Sequence, residues 1–230
     1  MTQPEILVII PARGGSKGIP RKNLRKLAGV PLVVWAIRAA LGAKLVTRTV
    51  VSTDDDEIAA VCRAAAAEVI IRPPELATDA APTLPVLVQV LDAVEADEEF
   101  TPMAVVLLEP TSPFRLSRHV DACIEKLFSA NTGSAVTVTQ LERNPQFIFS
   151  VNGDAAERYI KEPVETFTQR DQFRHLKRLN GCVYATWTEN IRAGRLVTEP
   201  FKIVEMSPEE SVNIDTLLDF TLAELCAERL

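Results

Sequence analysis

The sequence lacks closely spaced cysteine pairs. Its four cysteines are far apart along the chain: Cys62, Cys123, Cys182 and Cys226. This spacing excludes a zinc ribbon and a dithiol redox motif, and it predicts reduced thiols in the core. His119 and His175 also have no cysteine or histidine partner at metal-ligand spacing, so the sequence favours structural roles for both.

Positive charge is also scarce. The chain has 25 Lys and Arg residues against 31 Asp and Glu residues, which gives a net charge of −6. DNA, RNA and anionic lipids attract extended basic surfaces, so this composition argues against nucleic acid and membrane partners. Any site for a polyanion must therefore be local.

Long hydrophobic runs are absent as well. No segment approaches the roughly 20 apolar residues that span a bilayer, and the first five residues lack the basic flank of a signal peptide. The short apolar run 6–10 instead predicts a buried strand. Together with reduced thiols, these absences favour a cytoplasmic protein.

The sequence does contain a regular alternation of short apolar runs and helical patterns. Strand-like runs occur at 6–10, 49–52, 69–71 and 104–108. Helix-like periodicity lies between them at 31–43, from 55 onward and at 84–94. This order predicts a mostly parallel, Rossmann-like sheet in a three-layer α/β/α sandwich. The length of 230 residues suits a single domain over 1–230.

The second half of the chain is less regular. It predicts a helix from Ser117, strands at 134–139 and 182–186, a final helix from about 215, and an inserted arm at roughly 153–177. Helix starts have their own signals. Asp54 and Glu57 resemble a capping box, while Thr83 and Asp215 are candidate N-caps of the helices that follow them.

The segment 11–24, directly after the first strand, concentrates basic residues and three glycines. Glycines let backbone N–H groups turn inward around an anion, and the basic side chains add charge against phosphate oxygens. The segment is neither a Walker A loop nor a dinucleotide fingerprint. Loops after residues 10, 72 and 108 should meet beyond the carboxyl ends of the parallel strands, so we expect one phosphate site there.

Further motifs follow in order along nearly the whole chain. They read ARGGSKG at 12–18, PRKNL at 20–24, LAGVPL at 27–32, VSTD at 51–54, RPPELA at 72–77, PTSPFR at 110–115, NG at 180–181 and IDT at 214–216. This set resembles the acylneuraminate cytidylyltransferases, or CMP-sialic acid synthetases, a family within the sugar nucleotidyltransferases.

The resemblance implies transfer of CMP from CTP to the anomeric hydroxyl of a nonulosonic, sialic-acid-like acid, with release of pyrophosphate. The implied catalytic residues are Arg13, Lys22 and Asp215, and the implied cofactor is Mg²⁺, held by Asp215 and Asn213. The implied nucleotide site comprises Ala12, Arg13, Gly14, Ser16, Lys17, Lys22, Asn23, Arg72, Thr83, Glu109, Pro110 and Thr111. Arg178 and Asn180 would bind the acidic sugar, and the arm would form a homodimer.

Two positions depart from the family pattern. Glu109 stands where relatives commonly have Gln, and Asn213 stands where they commonly have the first Asp of an Asp-x-Asp pair. A carboxylate can still accept ribose hydroxyl protons, and an Asn side chain still offers a neutral oxygen. Two alternatives stay open: a related nucleotidyltransferase that uses another nucleotide or sugar, and a non-catalytic, nucleotide-binding regulatory protein.

Overall fold

The computed structural model describes residues 3–16, 18–78, 81–96, 100–129, 131–143, 145–160 and 175–229. The helices are α1 Leu32–Leu41, α2 Asp56–Ala64, α3 Thr83–Glu95, α4 Ser117–Leu127, α5 Thr188–Arg192 and α6 Leu217–Ala227. The strands are β1 Ile6–Pro11, β2 Lys26–Leu27, β3 Val30–Pro31, β4 Arg48–Thr53, β5 Glu68–Ile71, β6 Ala104–Leu107, β7 Ser134–Gln140, β8 Phe149–Asn152, β9 Ala155–Arg158, β10 Lys177–Trp187 and β11 Phe201–Glu205.

A seven-stranded central sheet runs in the order β11-β7-β10-β6-β1-β4-β5. Strand β1 pairs in parallel with β4 and β6, and β4 pairs in parallel with β5. Strand β10 is antiparallel to both of its neighbours, β6 and β7, while β11 returns to a parallel pairing with β7. The sheet is therefore mostly parallel, as predicted.

Both faces of the sheet are covered by helices. Successive residues of β1 point to opposite sides, so Val8 belongs to a cluster with α1, α2 and α4, whereas Leu7 packs with α3 and α5. Burial on both faces explains why the central strands are continuous apolar runs. The predicted three-layer α/β/α sandwich is confirmed.

A third apolar cluster lies under the loop that follows β1. Phe220 and Ala223 of α6 pack there with Ile19 and Ile214, and all four are buried. The Arg25 guanidinium stacks over the Phe220 ring at 4.3 Å from the ring centroid. The final helix thus anchors both the glycine-rich loop and the segment just before the helix.

Three predicted helix starts are wrong by one or two residues. Asp55, not Asp54, caps α2 by accepting a hydrogen bond from the Ile58 N–H at 2.9 Å. Helix α3 begins at Thr83 itself, after Pro82. Helix α6 is capped by Thr216, which forms a reciprocal capping box with Asp219, so Asp215 lies outside the helix. In the first and third cases, the competing aspartate makes tertiary hydrogen bonds instead.

The structure describes only the two ends of the arm predicted at 153–177. Strand β9 lies in its first end and pairs antiparallel with β8, which precedes the arm, and every residue of both strands is exposed. Residues 161–174 of the arm, and Lys17 of the predicted site, lie outside the described residues. Within the described ranges, no helix is both long and apolar enough to cross a membrane.

Candidate active site

A cavity of 480 Å³ opens at the carboxyl ends of the parallel strands. The three loops predicted to converge, after β1, β5 and β6, do meet there. The predicted site residues that line it are Arg13, Ser16, Lys22, Asn23, Arg72, Thr83, Glu109, Pro110, Thr111 and Asp215. Sheet topology therefore predicted which loops meet, and the family resemblance had named most of the residues that line the cavity where they meet.

The loop after β1 is pinned to the end of β4. The Gly14 N–H donates to Asp54 Oδ1 at 2.9 Å, and the Ala12 N–H donates to the Ser52 carbonyl at 2.9 Å. The side chain of Asn23 holds the loop from the other side, because its Nδ2 donates to the Arg13 carbonyl at 2.8 Å. These bonds fix the backbone of a segment that glycine would otherwise leave mobile.

Arg21 has a structural role in the same loop. Its guanidinium forms an ion pair with Asp55 and reaches Glu57, at the start of α2. The Arg21 guanidinium holds the pKa of the Asp55 carboxyl below its usual range. This basic residue therefore fastens the loop to α2 and is not among the residues that line the cavity.

The opposite wall of the cavity comes from the segment before α6. Lys22 Nζ donates to the Ile214 carbonyl at 2.8 Å and to Asp215 Oδ1 at 3.0 Å. A Cβ atom added at Gly18 would collide with the Asp215 carbonyl oxygen, so the loop and this segment are in close contact. Glycine at position 18 is required by that approach.

Asn213 orients Asp215. The Asn213 Nδ2 donates to Asp215 Oδ2 at 2.8 Å, while Asn213 Oδ1 accepts from Ser112 Oγ at 3.3 Å. Each Asp215 oxygen therefore has one protein donor, Lys22 on one and Asn213 on the other. Because a carboxylate oxygen can accept more than one bond, Asp215 keeps acceptor capacity toward the cavity.

Arg72 is a buried cation beside the cavity and not the solvated strand end that its sequence position suggests. Only 5% of its surface is exposed, and its guanidinium donates to the Ser52 carbonyl at 3.0 Å and the Leu76 carbonyl at 3.4 Å. Burial lowers the pKa of Arg72, the charge of Asp54 opposes that shift, and the nearby positive charge of Arg13 adds to it. Two cations therefore act on one region, which favours an anionic ligand.

Glu109 contributes a half-buried carboxylate at the end of β6. Burial raises the pKa of Glu109, Arg115 opposes that shift, and the nearby charge of Asp215 raises it further. The influence of Asp215 indicates that both carboxylates act on the same region of the cavity, although they are distant in the sequence.

With this geometry in place, the comparisons with known proteins decide the family. The family model described as cytidylyltransferase matches residues 7–207. The chain belongs to the cytidylyltransferase family. This membership confirms the resemblance that the motifs indicated.

Curated relatives span most of this cytidylyltransferase chain. It is 33% identical over 228 residues to the CMP-N,N'-diacetyllegionaminic acid synthase of Legionella pneumophila, covering 97% of this chain and 96% of the relative. It is 31% identical to an N-acylneuraminate cytidylyltransferase of Streptococcus agalactiae and 32% identical to N-acylneuraminate cytidylyltransferase A of Danio rerio. Those matches cover 93% and 95% of this chain, which spans about half the length of either relative, 51% and 50%.

A solved structure supports the fold of the cytidylyltransferase. The CMP:2-keto-3-deoxy-manno-octonic acid synthetase complexed with CTP superimposes with a TM-score of 0.71 at 18% identity, covering 98% of this chain and all of that one. At this identity the likeness concerns the fold alone.

The two residues predicted to bind the sugar are not among those that line the cavity. Arg178 forms an ion pair with Glu142 at 3.0 Å and is partly exposed. Asn180 is buried, its Oδ1 accepts from Thr137 Oγ1 at 2.7 Å, and its Nδ2 donates to Ser211 Oγ at 2.9 Å. Asn180 therefore holds strand β10 where its pairing with β7 shifts register.

Arg115 is the residue that sequence reasoning left without a role. It is 1% exposed, its Nε donates to the Cys182 carbonyl at 2.7 Å, and its Nη2 donates to the Glu109 carbonyl. Burial lowers the pKa of Arg115 to about 10. The available signal was a charged residue at the end of the PTSPFR motif, directly after the aromatic Phe114, and this signal did not indicate a partner.

Proposed function

We propose that this chain transfers CMP from CTP to the anomeric hydroxyl of a nonulosonic acid and releases pyrophosphate. The observation that carries the proposal is the Lys22–Asp215 contact inside the cavity, which joins the phosphate loop to an acidic group. The names of the relatives support CTP as the nucleotide and an acidic nine-carbon sugar as the acceptor.

The nucleotide would bind along the loop and the base of the cavity. Arg13 and Lys22 would contact the phosphates, with Lys17 as a further predicted contact outside the described residues. Arg72 and Thr83 would bound the cytosine pocket, since both line the cavity. Ala12, Gly14, Ser16 and Asn23 would shape the loop, and Pro110 and Thr111 would pack beside the nucleotide. Arg178 and Asn180 remain the predicted contacts of the acceptor sugar.

Magnesium is the proposed cofactor, and the donor chemistry of the site fits it. Mg²⁺ prefers oxygen ligands and is usually held by one or two carboxylates together with substrate phosphates. Asp215 offers such a carboxylate beside Lys22, and both line the cavity. Bound magnesium would neutralise charge on the triphosphate and help orient it. The predicted second ligand, Asn213, has both side-chain polar atoms engaged by protein groups.

The reaction would need positioning and charge stabilisation but no covalent enzyme intermediate. The anomeric oxygen forms a bond to the α-phosphorus. At the same time the bond from that phosphorus to the oxygen that bridges the α- and β-phosphorus atoms breaks, and pyrophosphate leaves. Lys22 and Arg13 would stabilise the negative charge that develops on the phosphates. The Asp215 carboxylate, oriented by Lys22 Nζ and Asn213 Nδ2, would accept the proton of the attacking hydroxyl.

The decisive test is pyrophosphate release from CTP, ATP, GTP and UTP with Mg²⁺, each against a panel of nonulosonic acids and other sugars. We expect release with CTP and a nonulosonic acid. Release with another nucleotide or sugar would overturn the substrate assignment and keep the nucleotidyltransferase activity. CTP binding without release from any acceptor would favour the regulatory alternative.

We also propose a cytoplasmic homodimer. The exposed β8–β9 hairpin supports the dimer because it carries apolar side chains, with Val151 and Tyr159 each 70% exposed. Burial raises the pKa of Cys62 and of Cys123 to about 12, so both stay as unreactive thiols, as suits a reducing compartment.

A further inference from the structure

Two carboxylates that are far apart in the sequence line one cavity. Glu109 follows β6, Asp215 precedes α6, and both line the 480 Å³ cavity. A triphosphate adds several negative charges to this region, so two unneutralised carboxylates would repel it. A divalent cation between the carboxylates and the phosphates would remove that conflict.

Hydrogen bonds hold the two carboxylate-bearing segments in a fixed relation. The Ile214 N–H donates to the Thr111 carbonyl at 2.8 Å, and the Ser112 hydroxyl donates to Asn213 Oδ1 at 3.3 Å. Buried Arg115 holds the same loop from below by donating to the Glu109 carbonyl. The loop after β6 and the segment before α6 therefore form one rigid unit, which a cation site requires.

Asn213 is built to support a ligand. Its amide nitrogen donates to Asp215 Oδ2 at 2.8 Å, a bond that a carboxylate at position 213 could not make. Its oxygen is taken by Ser112. Groups that orient a metal-binding carboxylate in this way contribute to affinity without touching the metal.

We propose that Glu109 is the second carboxylate ligand of the divalent cation, opposite Asp215, and that Asn213 orients Asp215 from behind. This assignment rests on the proposed function of the cavity. Glu109, in the loop after β6, supplies the second acidic group of the cation site. Asn213, two positions before Asp215, supplies a hydrogen-bond donor to Asp215. Glu109 then reaches the nucleotide through the cation rather than through the ribose.

The test compares Glu109→Gln, Asn213→Asp and the double variant that combines them with the unchanged protein. Mn²⁺ binding is measured by electron paramagnetic resonance, with CTP kept below the enzyme concentration and without acceptor sugar. CTP binding is measured separately by calorimetry with the metal chelated. Because neither measurement involves turnover, a wrong acceptor or an inactive protein leaves both readouts intact.

We expect Glu109→Gln to weaken Mn²⁺ binding at least about tenfold, since loss of a supporting residue alone costs that much. The affinity of Glu109→Gln for CTP without metal should stay the same or increase, because one negative charge that repels the triphosphate has been removed. The double variant should regain Mn²⁺ affinity relative to Glu109→Gln. Glu109→Asp, which keeps the charge on a shorter side chain, should bind Mn²⁺ with intermediate affinity. Unchanged Mn²⁺ binding in Glu109→Gln, with weaker metal-free CTP binding, would overturn the assignment and favour a ribose contact.

Discussion

Lys22 is the residue on which most of the site geometry depends. Its ammonium group binds both the Ile214 carbonyl and Asp215, and its side chain lines the cavity. We expect Lys22→Met to lower kcat/KM for CTP-dependent pyrophosphate release by about 10²- to 10³-fold, as for the loss of a donor that stabilises developing charge. Steady-state kinetics measure the effect.

Lys26→Met is the matched control for that variant. It removes the same charge from an exposed residue of the short strand β2, which does not line the cavity. An equal loss in both variants would mean that net charge, rather than the contact with Asp215, decides activity.

His119 makes stability depend on pH. Its Nδ1 accepts the Leu116 N–H at 3.1 Å, so the ring must be neutral at that nitrogen. Burial lowers the pKa of His119, with Arg118 and Arg115 acting in the same direction and Glu210, 3.7 Å from Nε2, opposing them. The unfolded chain therefore binds the proton first as pH falls below about 6.5, and the folded state loses stability.

We expect the Tm of the unchanged protein to fall more steeply than that of His119→Gln between about pH 7.5 and about pH 5.5. The variant should have the lower Tm at the higher pH, because the His119 ring that accepts the Leu116 N–H has been replaced. The difference in Tm between the two proteins should become smaller as the pH falls. Differential scanning calorimetry gives both curves. Parallel curves would contradict this role of His119.

The role of a single residue was predictable where the residues around it are close to it in the sequence. Arg13 and Lys22 stood out because they lie in a glycine-rich loop directly after a strand, where basic side chains can face a phosphate. Arg115 and Asn180 were not predictable in their observed roles, because each also depends on distant partners. Cys182 lies 67 positions from Arg115, and Thr137 and Ser211 lie 43 and 31 positions from Asn180. Burial of a polar side chain is decided by such partners, which periodicity does not reveal.

The loop after β1 lies in close contact with the backbone of Asp215. Gly18 packs against the Asp215 backbone, whereas a Cβ atom at Gly15 would meet no atom within 4 Å. We expect Gly18→Ala to push the loop away from Asp215, which lowers stability by about 1–3 kcal/mol through overpacking and reduces kcat/KM. Chemical denaturation and pyrophosphate release measure the two effects.

Gly15→Ala serves as the control within the same loop. It makes the same chemical change in open space, so both stability and activity should stay near those of the unchanged protein. If the two alanine variants behave alike, general loop flexibility rather than the packing of Gly18 is responsible.

Strands and helices were predicted well where a single physical rule determines their sequence pattern. Strands β1 and β6 were found because burial on both faces leaves uninterrupted apolar runs. Strand β10 was predicted at 182–186 but spans Lys177–Trp187, because its first half is more exposed and includes the register shift near Gly181. The start of α2 was predicted one residue too early because Asp54 and Asp55 are both possible caps, and Asp54 instead accepts a hydrogen bond from the Gly14 N–H.

At the scale of the whole molecule, the hairpin of β8 and β9 is the proposed dimer contact. We expect Val151→Asp to convert a dimer of two chains into a monomer, because a charge would replace an apolar side chain at the interface. Size-exclusion chromatography with light scattering measures the mass.

Leu218→Asp provides the comparison surface. Leu218 of α6 is 79% exposed, which makes it another accessible apolar side chain. The dimer should persist in this variant. Dissociation by Leu218→Asp alone would move the interface to α6, and a monomeric unchanged protein would remove the dimer from the proposal.

The three-layer sandwich followed from the order of elements, since β-α-β crossovers leave few topologies. The contact that closes the cavity did not follow from the order of elements. Lys22 and Asp215 are separated by 193 positions, and their contact depends on how α6 packs under the loop after β1. No local pattern in the sequence encodes that packing.

The same separation orders the assembly of the cavity during synthesis. Translation delivers the glycine-rich loop before the other walls of the cavity, and the strands behind it can fold while later segments are being made. The wall that carries Asp215 follows every strand of the central sheet along the chain. A chain halted before residue 215 would display the glycine-rich loop without its acidic counterpart, so the cavity is completed only after the segment before α6 has left the ribosome.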